Sequence, residues 1–169
     1  SKECFVATSA DGRFRIYSWD TFLGGTAPDF GSIIQYAAGD KVLISKLFVG
    51  PGIYAEIHTL KTRNKTYYIA NRHNIFSTSD SGQSLLAYTI ENGAVHPVKL
   101  FKTVENLSKS VAFEFDFFSV VDHPERPLKL IKYDEKKKIF YLPVIADDGA
   151  VTELFTQYRF NGKYFEELK

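Results

Sequence analysis

The residues best equipped for chemistry are Glu114 and Asp116 in "FEFDFF", together with Asp20 beside the single tryptophan, Trp19. Two carboxylates on one strand face could serve a glycosidase as general acid and base. Period-two alternation produces the same pattern without chemistry. Glu114 and Asp116 then form the polar face of a strand whose other face carries Phe113, Phe115 and Phe117. The second reading is favoured.

His58, His73, His96 and His123 show no H-x-H or H-x-x-x-H spacing, and no cysteine pair is present to join them in a zinc site. Structural or solvent-facing roles are expected for all four. Cys4, the only cysteine, sits in "SKECFVA" without a nucleophile signature, so a buried or inert thiol is expected. Asp147-Asp148-Gly149 lacks the spaced ligands of an EF-hand loop and reads as a turn. Gly24-Gly25 opens no phosphate-cradling helix. These features imply no cofactor and no metal, and binding rather than catalysis.

The elements that must carry these residues are short strands. Fifteen Phe, ten Tyr and one Trp favour pleated, half-buried surfaces. Runs such as "CFVATS", "RFRIYSW", "SIIQYA", "KVLISKLF", "IYAEIHTL" and "TYYIA" alternate with turns at 10–12, 38–40 and 61–65. The same grammar continues at Ser79–Gly82, Glu91–Gly93, Asp134–Lys137 and Asp147–Gly149. Asn161-Gly162 predicts a two-residue type I′ hairpin between "QYRF" and "KYFEEL". "IENGAVHPVKLF" and "ADDGAVTELFTQ" share a Gly-Ala-Val that hairpin chemistry accounts for.

The expectation is a single all-β domain over 1–169, built of successive antiparallel hairpins and meanders in a β-propeller-like or sandwich-like stack. It has about twelve strands and at most one short helix near 103–109, in "TVENLSK". "DHPERP", 122–127, reads as a loop within that domain. Trp19 is expected to anchor a strand end in the core.

A formal net charge of +1 with scattered basic residues gives nucleic-acid binding no support. No apolar run approaches the length of a membrane span, so no membrane insertion is expected. The chain begins without methionine, in keeping with a removed signal peptide and a periplasmic or secreted protein. Three residues before Cys4 disfavour a lipid anchor.

"TSDSGQSL", 78–85, resembles an Asp-box, a hairpin turn of several β-propellers. In that resemblance Asp80 accepts hydrogen bonds from the turn backbone and Gly82 takes a positive φ. The loop Ser77, Thr78, Ser79, Asp80, Ser81, Gly82, Gln83, Ser84 is then a polar, partner-binding tip suited to entering another molecule's cleft.

"DGRFRIYSWDTFLGGT", with "QY" ten residues on, resembles exported bacterial all-β proteins. Among these are the periplasmic immunity proteins that protect a bacterium from its own type VI secreted cell-wall amidases. The resemblance covers about the first forty residues. It implies a stoichiometric, cofactor-free inhibitor whose protein partner is a peptidoglycan amidase effector, plugged at its Cys-His active site by a polar loop. The alternatives are a carboxylate-dependent glycoside hydrolase using Asp20, Glu114 or Asp116, and a carbohydrate or peptidoglycan-binding module stacking sugars on Tyr67, Tyr68 and Tyr164.

Overall fold

The computed structural model describes residues 3–25, 27–122 and 129–169, which leaves His123 and most of the 122–127 loop outside the described residues. Among the described residues fifteen strands form three sheets, with a curled, half-barrel sheet among them. The first sheet is a meander of β1 (Cys4–Thr8), β2 (Phe14–Asp20), β3 (Phe30–Ala38) and β4 (Lys41–Ile44). The middle sheet orders β11 (Ser110–Asp116), β7 (Asp80–Glu91), β6 (Thr66–Ile75) and β5 (Ile53–Lys61), with β8 (Ala94–Pro97) added to β7. The third joins β12 (Lys132–Asp134), β13 (Ile139–Ile145), β14 (Val151–Phe160) and β15 (Phe165–Glu167) to β9 (Phe101–Lys102) and β10 (Leu107–Ser108). The β15–β9 pairing is parallel and the other pairings are antiparallel. Among the described residues no helix is long and apolar enough to cross a membrane.

The middle sheet is buried on both faces. One face packs Tyr54, Ile57, Tyr68, Ala70 and Tyr88 against Phe14, Ile16, Ile34 and Tyr36 of the first sheet. The other packs Leu60, Ile69, Leu85 and Ala87 against Phe101, Phe140, Leu142 and Phe165 of the third. A register shift between Tyr54 and Glu56 moves β5 from one alternation phase to the other, so that Tyr54 faces the first core and Leu60 the second. Burying both faces removes the apolar-in, polar-out alternation that makes a strand easy to read.

Several expectations change here. Residues 103–109 hold no helix: Thr103 N–H donates to the Asn106 carbonyl, Thr103 Oγ1 accepts from Asn106 N–H, and β9 and β10 close as a small hairpin. The threonine that resembled a helix cap organises a turn instead. At Asn161-Gly162 the hairpin forms, but its loop runs from Asn161 to Tyr164 and Asn161 does not adopt a positive φ. Asn161 Oδ1 accepts from the Lys163 and Tyr164 amides, an Asx arrangement that takes the place of the type I′ turn. The positive-φ Asn-Gly pair is Asn92-Gly93, between β7 and β8.

Trp19 does not enter the core. It lies on the outer face of the first sheet, 36% exposed, with its ring where a side chain at residue 31 would stand, so Gly31 is required by contact rather than by turning. Cys4 is exposed on the same face. Both follow from β1–β2 register, in which Cys4 pairs with Trp19 and Val6 with Tyr17, while Phe14 and Ile16 take the inner face.

Candidate functional site

Successive turns of a meander fall at opposite ends of the strands, and contacts between the sheets bring the like ends together. Tyr68 Oη donates to Asp11 Oδ2 and Tyr36 Oη to the Gly93 carbonyl, which places turns 9–13, 62–65 and 92–93 at one end. Tyr54 N–H donates to Ser18 Oγ, Ser32 Oγ to the Gly52 carbonyl, Phe117 N–H to the Ser79 carbonyl, and Asp116 N–H to the Gly149 carbonyl. Those bonds gather loops 21–29, 50–52, 76–79, 117–122 and 146–150 at the other.

The second end exposes large apolar side chains. Phe22 is 61% and Leu23 83% exposed, and Phe76, Phe118 and Val121 are also exposed. Phe22 has a φ of 59°, in the left-handed region that an aromatic residue adopts only against its preference. It is held there because Asp20 Oδ1 accepts its amide at 2.7 Å, while Thr21 Oγ1 bonds Asp29 across the loop. Gly24 lets this loop close, since a Cβ there would stand 2.2 Å from the Ala27 carbonyl oxygen. The apolar surface continues over the outer face of the first sheet through Trp19, Val6, Ile33 and Ile44.

The charges divide the same way. Asp29, Asp80, Asp122, Asp147 and Asp148 are exposed at the apolar end, with Asp20 and Asp116 half-buried at its strand termini. The described residues of 21–29, 76–79, 117–122 and 146–150 contain no lysine or arginine, while Lys46 precedes 50–52 in the connection between β4 and β5, and Arg126 and Lys129 follow Asp122 in the sequence. Arg72 is half-buried, donates to Ser84 Oγ, and lines a cleft of about 260 Å³ with Pro28, Phe30, Pro51 and Phe76. The opposite end exposes Arg13, Lys41, Lys61, Arg63, Lys65, Lys136, Lys137, Lys138 and Lys163.

The polar tip expected at 77–84 is only half a tip. Ser77, Thr78, Ser79 and Asp80 lie in the turn region, where Ser77 Oγ accepts the Ser79 and Asp80 amides and donates to Asp80 Oδ2. Ser77, rather than Asp80, organises the turn. Ser81, Gly82, Gln83 and Ser84 lie within β7, between β6 and β11, and are buried; Ser81 and Gln83 are each 1% exposed. Gly82 has no positive φ; it is small because Phe76 and the Phe113 carbonyl crowd its Cβ position. Gln83 Oε1 accepts the Leu130 amide and its Nε2 lies 3.4 Å from His73 Nδ1, so these polar groups tie the middle sheet to the segment that leads into β12.

The carboxylates do not converge by any hydrogen bond. Asp20 bonds its own loop, Asp116 Oδ1 accepts the Phe118 amide to cap a single 3-10 turn at Phe117–Ser119, and Glu114 is exposed. Burial pushes His73 down to about 4, and it lowers His58 despite the carboxylates of Glu56 and Glu135 nearby. His58 Nε2 is buried without a hydrogen bond, its ring against Tyr133 and Phe140, and His96 is exposed beside the Glu91 carbonyl. Burial works against ionised Asp11, yet hydrogen bonds from Ser9, Arg13 and Tyr68 hold its carboxyl below the usual range. Of the stacking candidates, Tyr68 is buried against Phe14, and Tyr67 and Tyr164 are half-buried.

The exposed apolar loops were missed in the sequence. The available sign was the presence of large apolar residues in turn segments, Phe22-Leu23, Phe76 and Phe117-Phe118. Comparison with protein-family models, curated proteins and solved structures finds no match.

Proposed function

We propose that the chain is a non-catalytic, protein-binding inhibitor acting through its acidic, apolar end. The observation that carries this is Phe22, an exposed aromatic held at positive φ by a dedicated loop. Nothing in the packing of the core asks for it. A residue kept in an unfavourable conformation and facing solvent is well suited to meet something outside the molecule, and exposed aromatics are the usual anchors of protein interfaces. Leu23, Phe76 and Phe118 extend the surface, and the Ser77–Asp80 turn stands beside Phe76 as a rigid polar projection.

Within this reading the first-forty-residue resemblance supplies the narrower assignment, an immunity protein whose turn enters the active-site cleft of an exported peptidoglycan amidase in the periplasm. The test mixes the purified chain with the product of the gene beside its own and follows peptidoglycan hydrolysis. The expected result is a one-to-one complex that silences hydrolysis and is lost on Ser79→Arg. Hydrolysis undiminished by excess protein would contradict it.

A further inference from the structure

Resting on that protein-binding reading, we propose that the partner's docking surface is cationic around an apolar recess, because the exposed charges of the described loop residues that carry Phe22, Leu23, Phe76 and Phe118, and of the neighbouring 146–150 turn, are all aspartates. Asp29, Asp80, Asp122, Asp147 and Asp148 are exposed on these loops, and the described residues 21–25, 27–29, 76–79, 117–122 and 146–150 supply no cation of their own. A like-charged rim on a partner would repel them as the interface dries, whereas lysines or arginines satisfy both the charge and the carboxylate oxygens.

A second copy of this chain is the poorer occupant. Its basic end offers the right sign of charge. Its turns 9–13, 39–40, 62–65, 92–93, 135–138 and 161–164 nevertheless expose no large apolar side chain. Head-to-tail contact would set the aromatic tips against charged and polar turns, with Val42 and Leu43 beside turn 39–40 the large apolar contacts on offer. The combination of charge and apolar surface fits a different protein.

The probes are three synthetic peptides sharing leucine and tryptophan positions, with lysine, glutamate or serine between them. Each is titrated into isotopically labelled protein and followed by amide chemical shifts. The lysine peptide should shift amides of 21–29, 76–80, 117–122 and 146–150 and bind about tenfold more weakly at roughly 500 mM than at roughly 50 mM salt. Asp80→Asn combined with Asp147→Asn should weaken it further while the spectrum elsewhere stays unchanged. Equal binding of the lysine and glutamate peptides, shifts centred elsewhere, or no binding would overturn the proposal. The protein-binding reading is judged separately, by the amidase complex, which can form through the apolar residues alone. Self-association of the protein that dissolves in salt would assign the acidic end to a second copy and also overturn it.

Discussion

The basic end turns its chain mostly with residues suited to the backbone conformation, Gly12, Gly39, Asn92, Gly93 and Gly162 all having positive φ there, with Lys138 the exception. The acidic end contains Gly52 and Gly149 in that region, but also Phe22, a bulky aromatic poorly suited to it and exposed to solvent. At one end sequence serves the turn. At the other the turn serves a side chain. The comparison separates residues that fold the molecule from residues that are displayed by it, and exposure alone would not have made that distinction, since lysines and phenylalanines are both exposed.

Substitution at adjacent positions should sharpen this division most strongly. Ser81→Arg forces a charge into the doubly covered β7 and should cost about 4 kcal/mol or more. Ser79→Arg, two residues away in the turn, should change stability by less than about 0.5 kcal/mol and abolish partner binding. Thermal melting followed by circular dichroism reads the first, and the binding assay reads the second.

Acid should weaken the middle of the molecule independently of either end. His73 is held near 4, while in the unfolded chain it takes a proton near 6.5. Its contribution is complete above pH 6.5, falls as pH drops toward 4, and is level below that; its size is at most about 3 kcal/mol. His58 shifts in the same direction. Denaturant midpoints across this range should show the slope, and His73→Phe should flatten it.

At the basic end, Gly162→Val should cost about 1–3 kcal/mol by backbone strain alone, since no atom lies within 4 Å of its Cβ position, and should leave binding intact. The converse holds at Phe22, where Asn tolerates positive φ. Phe22→Asn should stabilise the fold by about 0.5–1 kcal/mol while weakening the complex. A Phe22 variant that lost stability would remove the distinction between the two ends.

Hairpin existence was legible in the sequence because Asp11-Gly12, Gly39-Asp40, Asn92-Gly93 and Asp148-Gly149 are local signals that tertiary packing does not override. Faces were less legible. Ser81, Gln83 and Ser84 look like a polar tip, yet all three are buried, with Arg72 bonded to Ser84 and with His73 and the Leu130 amide against Gln83. Trp19 looks like core, but the Cys4–Trp19–Gly31 row faces outward, and only strand register decides this. "TVENLSK" has a capping residue and helix formers but no apolar face long enough to pack, so the hairpin wins. The charge division is invisible in a net charge of +1 and emerges once alternate turns are assigned to opposite ends.

The most direct test of the acidic end as the contact surface is inhibition of peptidoglycan hydrolysis by the neighbouring gene's product, with two matched double variants of this chain. Phe22→Asn with Ser79→Arg should raise the concentration needed for inhibition by about a hundredfold or more, whereas Arg63→Ser with Lys137→Ser, at the basic end, should leave it unchanged. Inhibition that survives the first pair and fails with the second would place the contact at the wrong end of the molecule and contradict the account.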